Sequence, residues 1–161
     1  MASEIRMLMS TEIGKVAFSC DEQGLSSLFI QQTIGGKPPF EVHSVSKMGT
    51  FVIAELEQYF SSAKSFSAIP LSPKGTDFQK SVWAELSKIP LGETRTYGQI
   101  AKSLNSSPRA VGNACRRNPV QIIIPCHRVI SANGIGGYVG EMAGKQLDIK
   151  RWLLKHEGVT V

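Results

Sequence analysis

The stretch SPRAVGNACRRNPVQIIIPCHRV, residues 107–129, carries a helical pattern, an apolar run and a cysteine in close succession. Its middle part, residues 120–124, has four β-branched side chains in five positions, a composition typical of a buried strand. Pro125 has no backbone N–H to donate and therefore predicts the end of that strand. We expect Cys126 to lie where the strand leaves the core.

Cys126 is a candidate nucleophile because His127 and Arg128 follow it directly. The thiolate is the reactive form of cysteine, and neighbouring basic or cationic groups favour its formation. A cysteine in a protein core is more often structural than reactive. The two flanking residues reverse that expectation and predict a site of nucleophilic chemistry.

The charge is unevenly distributed along the chain. Residues 94–140 contain no Asp or Glu, although the net charge of the whole chain is only +5. A block of one sign indicates a polyanionic partner, and the planar fork of arginine suits phosphate groups. A solvated basic face without a ligand is the alternative, but the share of arginine favours nucleic acid. The basic residues of the block are Arg95, Lys102, Arg109, Arg116, Arg117 and Arg128.

Two short helices are predicted before the apolar run. Residues 96–104 place their apolar side chains on one helical face, at Tyr97, Ile100, Ala101 and Leu104. Asn105 is expected to end this helix, and Ser107 is expected to cap a second helix that opens at Pro108. The short connection predicts a helix-turn-helix.

The second helix, residues 109–117, has an inward face and a face of small residues. Ala110 and Gly112 would let its backbone approach another surface closely. Many helical pairs are only structural, but the overlap with the basic block favours DNA binding. The side chains expected to pack inward are Val111, Ala114 and Cys115.

The N-terminal part of the chain is predicted to be mixed α/β. Short apolar runs separated by turn residues predict strands at residues 5–9, 14–18 and 25–30, followed by a helix over 51–60. The proline-containing segment 64–74 is interpreted as a linker. After it, Thr76 and Gln79 form the pattern of a capping box that opens a helix over 77–86. We therefore expect two domains, residues 1–70 and 75–161.

The cysteine content indicates the compartment. The three cysteines, Cys20, Cys115 and Cys126, are odd in number and lack CxxC spacing, so no disulfide framework is expected. Free thiols predict a reducing, cytoplasmic setting. Residues 1–10 lack the apolar core of a secretory signal, and no apolar run is long enough to span a bilayer, so no membrane partner is expected.

Residues 118–130 resemble the active-site signature of the O6-alkylguanine-DNA alkyltransferases. Residues 107–112 resemble the recognition helix of that family, and Tyr138 with residues 152–158 resembles its C-terminal part. The resemblance implies an α/β (α+β) fold. A small ribonuclease-H-like α/β domain would support a mostly helical, winged-helix-like domain that contains the helix-turn-helix.

The resemblance also implies a function in direct-reversal DNA repair. Such a protein is an enzyme that moves the alkyl group of O6-alkylguanine in double-stranded DNA onto its own cysteine, here Cys126, with O4-alkylthymine as a further candidate substrate. A thioether has no carbonyl for water to attack, so each molecule is expected to act once. No cofactor is expected, and the protein is expected to be a monomer.

By resemblance, Glu157 orients His127, His127 acts through a water on Cys126, and Asn118 holds the active-site turn. Base flipping would bring the damaged base out of the duplex. The residues expected to contact DNA are Tyr97, Arg109, Ala110, Gly112, Arg116 and Arg128. Those expected to line the substrate pocket are Tyr97, Cys115, Val129, Tyr138 and Val139.

The chain departs from the family pattern in two places and lacks one optional site. Val139 stands where the family commonly has serine, and residues 141–146 lengthen the loop before the last helix. Some members bind a structural zinc in the N-terminal domain through Cys and His. Cys20 and His43 are too few for four ligands, so no metal is expected.

Two other functional classes stay open. A cysteine hydrolase would use the same Cys126–His127 chemistry on an acyl substrate with repeated turnover. A DNA-binding regulator would use the helix-turn-helix without needing the thiol. Non-catalytic alkyltransferase-like proteins replace the signature cysteine, so Cys126 excludes that reading.

Overall fold

The computed structural model describes residues 5–31, 47–136 and 145–160, with side chains from residue 11 onward except those of residues 31 and 145. The fold is mixed α/β, and the chain forms two compact units. The first contains the chain up to Lys74 together with Pro119–Gln121, and the second contains Gly75–Asn118 and Ile122–Val161. None of the described helices is long and apolar enough to cross a bilayer.

The first unit is built on an antiparallel sheet of three strands in the order β1 (Ile5–Thr11), β2 (Gly14–Cys20) and β3 (Leu25–Gln31). Helix α1 (Lys47–Ser62) contacts β1 and β2. The core side chains from these elements include Val16, Phe18, Leu25, Leu28, Val52, Leu56 and Tyr59. The three predicted strands and the predicted helix are therefore confirmed, and each is longer than its sequence pattern indicated.

The segment interpreted as a linker is partly ordered against β3. Leu25 donates its N–H to the carbonyl of Pro70 at 2.8 Å, and Ser72 donates back to the carbonyl of Leu25 at 2.8 Å. Leu71 thus forms a parallel bridge with Leu25. Backbone hydrogen bonding to an open strand accounts for this order, and the composition of the segment did not reveal it.

The second unit is mainly helical. Its elements are α2 (Asp77–Leu86), β4 (Arg95–Thr96), α3 (Tyr97–Ser103), α4 (Pro108–Arg116), a one-turn 3₁₀ helix (Cys126–Arg128), β5 (Val129–Ile130) and α5 (Lys145–His156). Strands β4 and β5 pair in parallel, with Arg95 opposite Val129. This short pairing was not predicted, because two residues carry no periodicity.

The two helices predicted before the apolar run are confirmed as α3 and α4, which contact each other. Ser107 caps α4 by accepting from the N–H of Ala110 at 3.1 Å, and Asn105 turns the chain in the left-handed region with φ 53°. The capping box of Thr76 and Gln79 is present at α2. An equivalent box at the start of α3 was missed. It is formed by Thr96 and Gln99.

A buried hydrogen bond fixes α4 against α2. The indole Nε1 of Trp83 donates to the carbonyl of Ala114 at 2.9 Å. Val111 and Ala114 are buried as expected, whereas Cys115 is only half-buried. Side-chain packing and this hydrogen bond therefore hold α4 against α2.

The predicted strand over residues 120–124 is wrong. Only Val120 forms a bridge, to Leu28 in the first unit, and residues 121–124 form a turn. Ile122 has φ 70°, a left-handed conformation that is costly for a β-branched residue. Ile122 and Ile124 are nevertheless buried. The apolar composition thus indicated burial correctly, but burial does not require an extended backbone.

Candidate active site

Cys126 opens the one-turn 3₁₀ helix and is 4% exposed. Its backbone N–H donates to the carbonyl of Ile124 at 2.8 Å, and its carbonyl accepts from the N–H of Val129. The cysteine therefore follows a tight turn and not the end of a strand. Hydrogen bonds on both sides hold its backbone in place.

Asn118 stabilises the same turn from the other side. Its side-chain amide donates to the carbonyl of Ile124 at 2.8 Å, and the residue is 5% exposed. That carbonyl thus accepts from Asn118 and from Cys126. The contribution of Asn118 to the active site stays a prediction.

His127 and Arg128, the two residues after Cys126, form a buried network with Glu157. His127 Nε2 and Glu157 Oε2 are 2.7 Å apart, with both side chains fully buried. Glu157 uses its second oxygen to accept from Arg128 Nε at 2.8 Å. One carboxylate therefore holds both residues that follow Cys126, and it lies just beyond the C-terminal end of α5.

The protonation states follow from this arrangement. Burial alone would raise the pKa of the Glu157 carboxyl, but the hydrogen bonds from His127 and Arg128 and the charge of Arg128 outweigh burial and lower the pKa. Burial lowers the pKa of His127 despite the opposing effect of Glu157. We therefore assign a carboxylate at Glu157 and a neutral imidazole at His127.

The tautomer of His127 is then determined. An ionised carboxylate only accepts, so His127 Nε2 must donate to Glu157. The lone pair of the neutral ring lies on Nδ1, which is buried and has no hydrogen-bond partner among the described residues. Buried polar atoms normally have a partner, often an ordered water. Nδ1 is thus the atom available to take a proton.

The expected DNA contact at Arg128 needs correction. Arg128 is 7% exposed, and besides Glu157 it donates from Nη1 to the carbonyl of Ile89 at 2.7 Å. Its guanidinium is occupied inside the second unit and is not presented to a phosphate. The run of basic residues in the sequence could not reveal this, because both partners are distant along the chain.

The other predicted DNA contacts are on accessible parts of α3 and α4. Arg109 is exposed in the first turn of α4, and Arg116 is exposed in its last turn. Ala110 is half-buried. A Cβ added at Gly112 would meet no atom within 4 Å, so packing inside the protein does not demand glycine there. Because Gly112 has no side chain, the backbone of α4 can be approached closely on this face.

An open cleft lies between α2 and α4. Its lining residues include Phe78, Asn113, Ala110, Arg116 and Arg117. Both arginines are exposed. The cleft places two cations next to the small-residue face of α4.

Three residues form a second group of titratable side chains near the cysteine. Burial raises the pKa of the Tyr97 hydroxyl and of the Cys115 thiol, and interaction with Cys126 raises both further. Lys150 on α5 is fully buried and interacts with the same two cysteines. Sequence reasoning missed Lys150. The available signal was a lysine three residues after Leu147 and four before Leu154, on the apolar stripe of the helix.

Several predicted features lie outside the described residues. These are Tyr138, Val139, His43 and the first part of the lengthened loop, whereas residues 145 and 146 of that stretch already belong to α5. Among the described residues no group of three or more His, Cys, Asp or Glu side chains is placed to hold a metal ion.

Known proteins resemble this chain in sequence and in fold. The family described as 6-O-methylguanine DNA methyltransferase, DNA binding domain, matches residues 77–159. A methylated-DNA–protein-cysteine methyltransferase of Methanosarcina acetivorans is 44% identical over 158 residues, covering 94% of this chain and 96% of the relative.

Solved structures show the same fold. The O6-methylguanine methyltransferase of Mycobacterium tuberculosis aligns with a TM-score of 0.78 at 30% identity, covering 96% of this chain and 93% of that one. The same protein in complex with DNA aligns with a TM-score of 0.78 at 32% identity, covering 94% and 91%. By sequence over nearly its whole length and by fold, the chain belongs to the methylated-DNA–protein-cysteine methyltransferase family.

Proposed function

We propose that this protein repairs DNA by transferring the alkyl group of O6-alkylguanine in a duplex to Cys126. The observation that carries the proposal is the buried hydrogen bond between Glu157 and His127, the residue after Cys126, which leaves Nδ1 of the imidazole able to accept a proton. Family membership supplies the substrate class, since the relatives are named for methylated DNA and a protein cysteine.

The reaction can be written with these groups. A bridging water passes the thiol proton of Cys126 to His127 Nδ1, and the imidazolium is stabilised by Glu157. The thiolate then attacks the alkyl carbon, forming a C–S bond as the bond between that carbon and O6 breaks. The electron pair leaves with guanine, which recovers a proton from solvent or imidazolium. The products are normal guanine and an S-alkyl cysteine.

Mass spectrometry of the Cys126 peptide tests this proposal. After incubation with duplex DNA containing O6-methylguanine, the peptide should gain one CH₂ unit. A cysteine hydrolase returns to the unmodified thiol after each cycle, and a DNA-binding regulator never modifies it. An unmodified Cys126 peptide together with repaired DNA would refute Cys126 as the acceptor.

We further propose that α4 docks in the minor groove and that Arg109 fills the space left by the flipped nucleotide. Small residues on α4 permit close approach of the DNA. Ala110 and Gly112 have no polar side chain that could read base edges. Recognition would then depend on the backbone and on base extrusion. Tyr97 at the start of α3 would lie against the extruded base.

Arg109→Ala should slow repair of duplex DNA much more than reaction with free O6-benzylguanine. Flipping costs a few kcal/mol, so loss of the wedge should reduce the duplex rate by roughly tenfold or more. Single-turnover rates on the two substrates measure the ratio. Arg151→Ala, which removes an exposed arginine from α5, serves as the matched control. Equal losses on both substrates would assign Arg109 to another role.

Arg116→Ala and Arg117→Ala should each flatten the salt dependence of duplex binding. A lost phosphate contact reduces the log–log slope by about 0.9 per phosphate. Affinities measured over a salt series on two unrelated duplexes give the slope and the sequence dependence together. The free-base reaction should be unchanged. A strong preference for one duplex would favour the regulator instead.

The two units have separate roles in this proposal. The first would be the ribonuclease-H-like supporting domain, and the second would be the winged-helix-like domain with the DNA surface and the acceptor. In the described part of the chain, the network at Cys126 and the helix-turn-helix both belong to the second unit. The monomeric state and the cytoplasmic location stay predictions.

A further inference from the structure

Asn133 lies in an exposed turn that closely follows the turn at Cys126, residues 121–128, which we call the cysteine turn. Strand β5 ends at Ile130, and Ser131 and Gly134 then form an antiparallel bridge around the two residues between them. Residues 132–134 are all exposed. The proposed reaction gives Asn133 no role, but an asparagine followed by glycine has a chemistry of its own.

An asparagine in this sequence context loses its side-chain amide without an enzyme. The backbone nitrogen of the following residue attacks Cγ of the asparagine, so a C–N bond forms and a succinimide ring closes. The bond to the amide nitrogen breaks, and that nitrogen leaves as ammonia with the backbone proton. Water then opens the ring at either carbonyl to give aspartate or isoaspartate. Glycine favours the reaction because no side chain hinders the approach of its nitrogen.

The structure leaves the attacking nitrogen of Gly134 weakly held. Its N–H donates to the carbonyl of Ser131 at 3.4 Å, which is long for a backbone hydrogen bond. A Cβ added at Gly134 would meet no atom within 4 Å, so the space around this residue is open. Both groups that must meet in ring closure are therefore accessible and little restrained.

The other three asparagines of the chain are protected by their surroundings. Asn118 is followed by proline, whose nitrogen carries no hydrogen to lose. Asn113 lies inside α4, where the next backbone nitrogen takes part in helical hydrogen bonding. After Asn105, the next N–H donates to the carbonyl of Ala101 at 2.8 Å. Asn133 alone combines exposure with a following glycine.

The turn at Asn133 lies beside a residue that is proposed to contact the extruded base. A Cβ at Gly136 would be 3.2 Å from both the backbone nitrogen of Ser131 and Cε2 of Tyr97, so Gly136 lies between the turn and the Tyr97 ring. Residues 94–140 contain no Asp or Glu. A carboxylate at position 133 is therefore a negative charge placed in a stretch that has none.

We propose that Asn133 is a site of spontaneous deamidation and that the carboxylate it produces weakens duplex binding beside Cys126. The inference rests on the proposed function, because it concerns the DNA surface next to the proposed acceptor. The new charge repels the phosphate backbone, and salt screens the repulsion. Deamidation thus lowers the capture of damaged DNA as the protein ages, while the thiol itself is unaltered.

Peptide mapping of the full chain by mass spectrometry tests the modification. During incubation for days at neutral pH, the peptide that contains Asn133 should accumulate aspartate and isoaspartate severalfold faster than the peptides that contain Asn105 and Asn113. The three sites are compared within one molecule, so temperature and buffer affect all of them. Conversion at Asn133 that is no faster than at Asn105 would overturn the proposed site.

Two variants test the effect on DNA. Asn133→Asp carries the charge of the product from the start, and its duplex affinity should be roughly threefold or more below that of the wild type at low salt. The difference should shrink as the salt concentration rises. Asn133→Gln keeps an amide that closes a ring far more slowly, so its affinity should match that of fresh wild type before and after incubation.

Reaction with free O6-benzylguanine separates the charge effect from damage to the pocket. The free base carries no phosphate, so Asn133→Asp and Asn133→Gln should react with it at the wild-type rate. Equal duplex affinities of the two variants would overturn the proposed effect on binding. Deamidation and duplex affinity are both measured without alkyl transfer. A wild type that never alkylates Cys126 would therefore refute the proposed function and not the modification.

Discussion

Cys126→Ser should abolish alkyl transfer while leaving duplex binding intact. A serine hydroxyl does not ionise at neutral pH and is a weak nucleophile toward saturated carbon, whereas the substitution is close to isosteric for the turn. In the wild type, repaired guanine should never exceed the moles of protein added, because the thioether formed at Cys126 cannot be hydrolysed. Quantifying repaired guanine against protein over time measures both results.

Cys20 provides the matched control for this experiment. It is a buried free cysteine in the first unit, and burial followed by the nearby Asp21 raises its pKa to about 11. Cys20→Ala should therefore transfer one equivalent as the wild type does. Turnover beyond one equivalent in the wild type would contradict single use and would favour the hydrolase alternative.

Glu157→Gln should reduce both stability and the rate of transfer. The carboxylate joins His127 and Arg128 in a buried network, and breaking a buried pair costs about 3–5 kcal/mol because a charge is left uncompensated. Glutamine no longer stabilises the imidazolium, so the general-base contribution of about 10²-fold or more should be lost. Urea denaturation and single-turnover rates with free O6-benzylguanine measure the two effects.

An exposed ion pair gives the control for Glu157→Gln. Glu93 pairs with Arg95 at 3.2 Å, but both side chains are substantially exposed. Such pairs contribute about 1 kcal/mol or less, so Glu93→Gln should change stability little and transfer not at all. If Glu157→Gln retained the wild-type rate, His127 would not depend on Glu157.

The stability difference should also depend on pH. The pKa of Glu157 is lowered in the folded protein, so its stabilisation is fully present above the unfolded pKa near 4.5 and is lost as the pH falls through the folded value. The free energies of unfolding of the wild type and Glu157→Gln should therefore converge in acid. A constant difference down to low pH would contradict a carboxylate at this position.

Local signals in the sequence predicted the helices well. A capping box depends on hydrogen bonds between residues three apart, so Thr76 with Gln79 could be predicted without knowledge of the fold. The same reasoning placed Ser107 at the start of α4. The turn around Ile122 was mispredicted because its apolar residues satisfy burial in a conformation that β-branched side chains rarely adopt.

The candidate nucleophile, the basic block and the pair of short helices could be predicted from the sequence, because each depends on neighbours along the chain. The inward orientation of Arg128 and the position of Lys150 beside the cysteine turn could not, because both depend on tertiary contacts. Their partners, Ile89 and Val129, are 39 and 21 residues away. The charge of a side chain can be read from the sequence, but its solvation and its counter-charge depend on which distant groups the fold brings into contact with it.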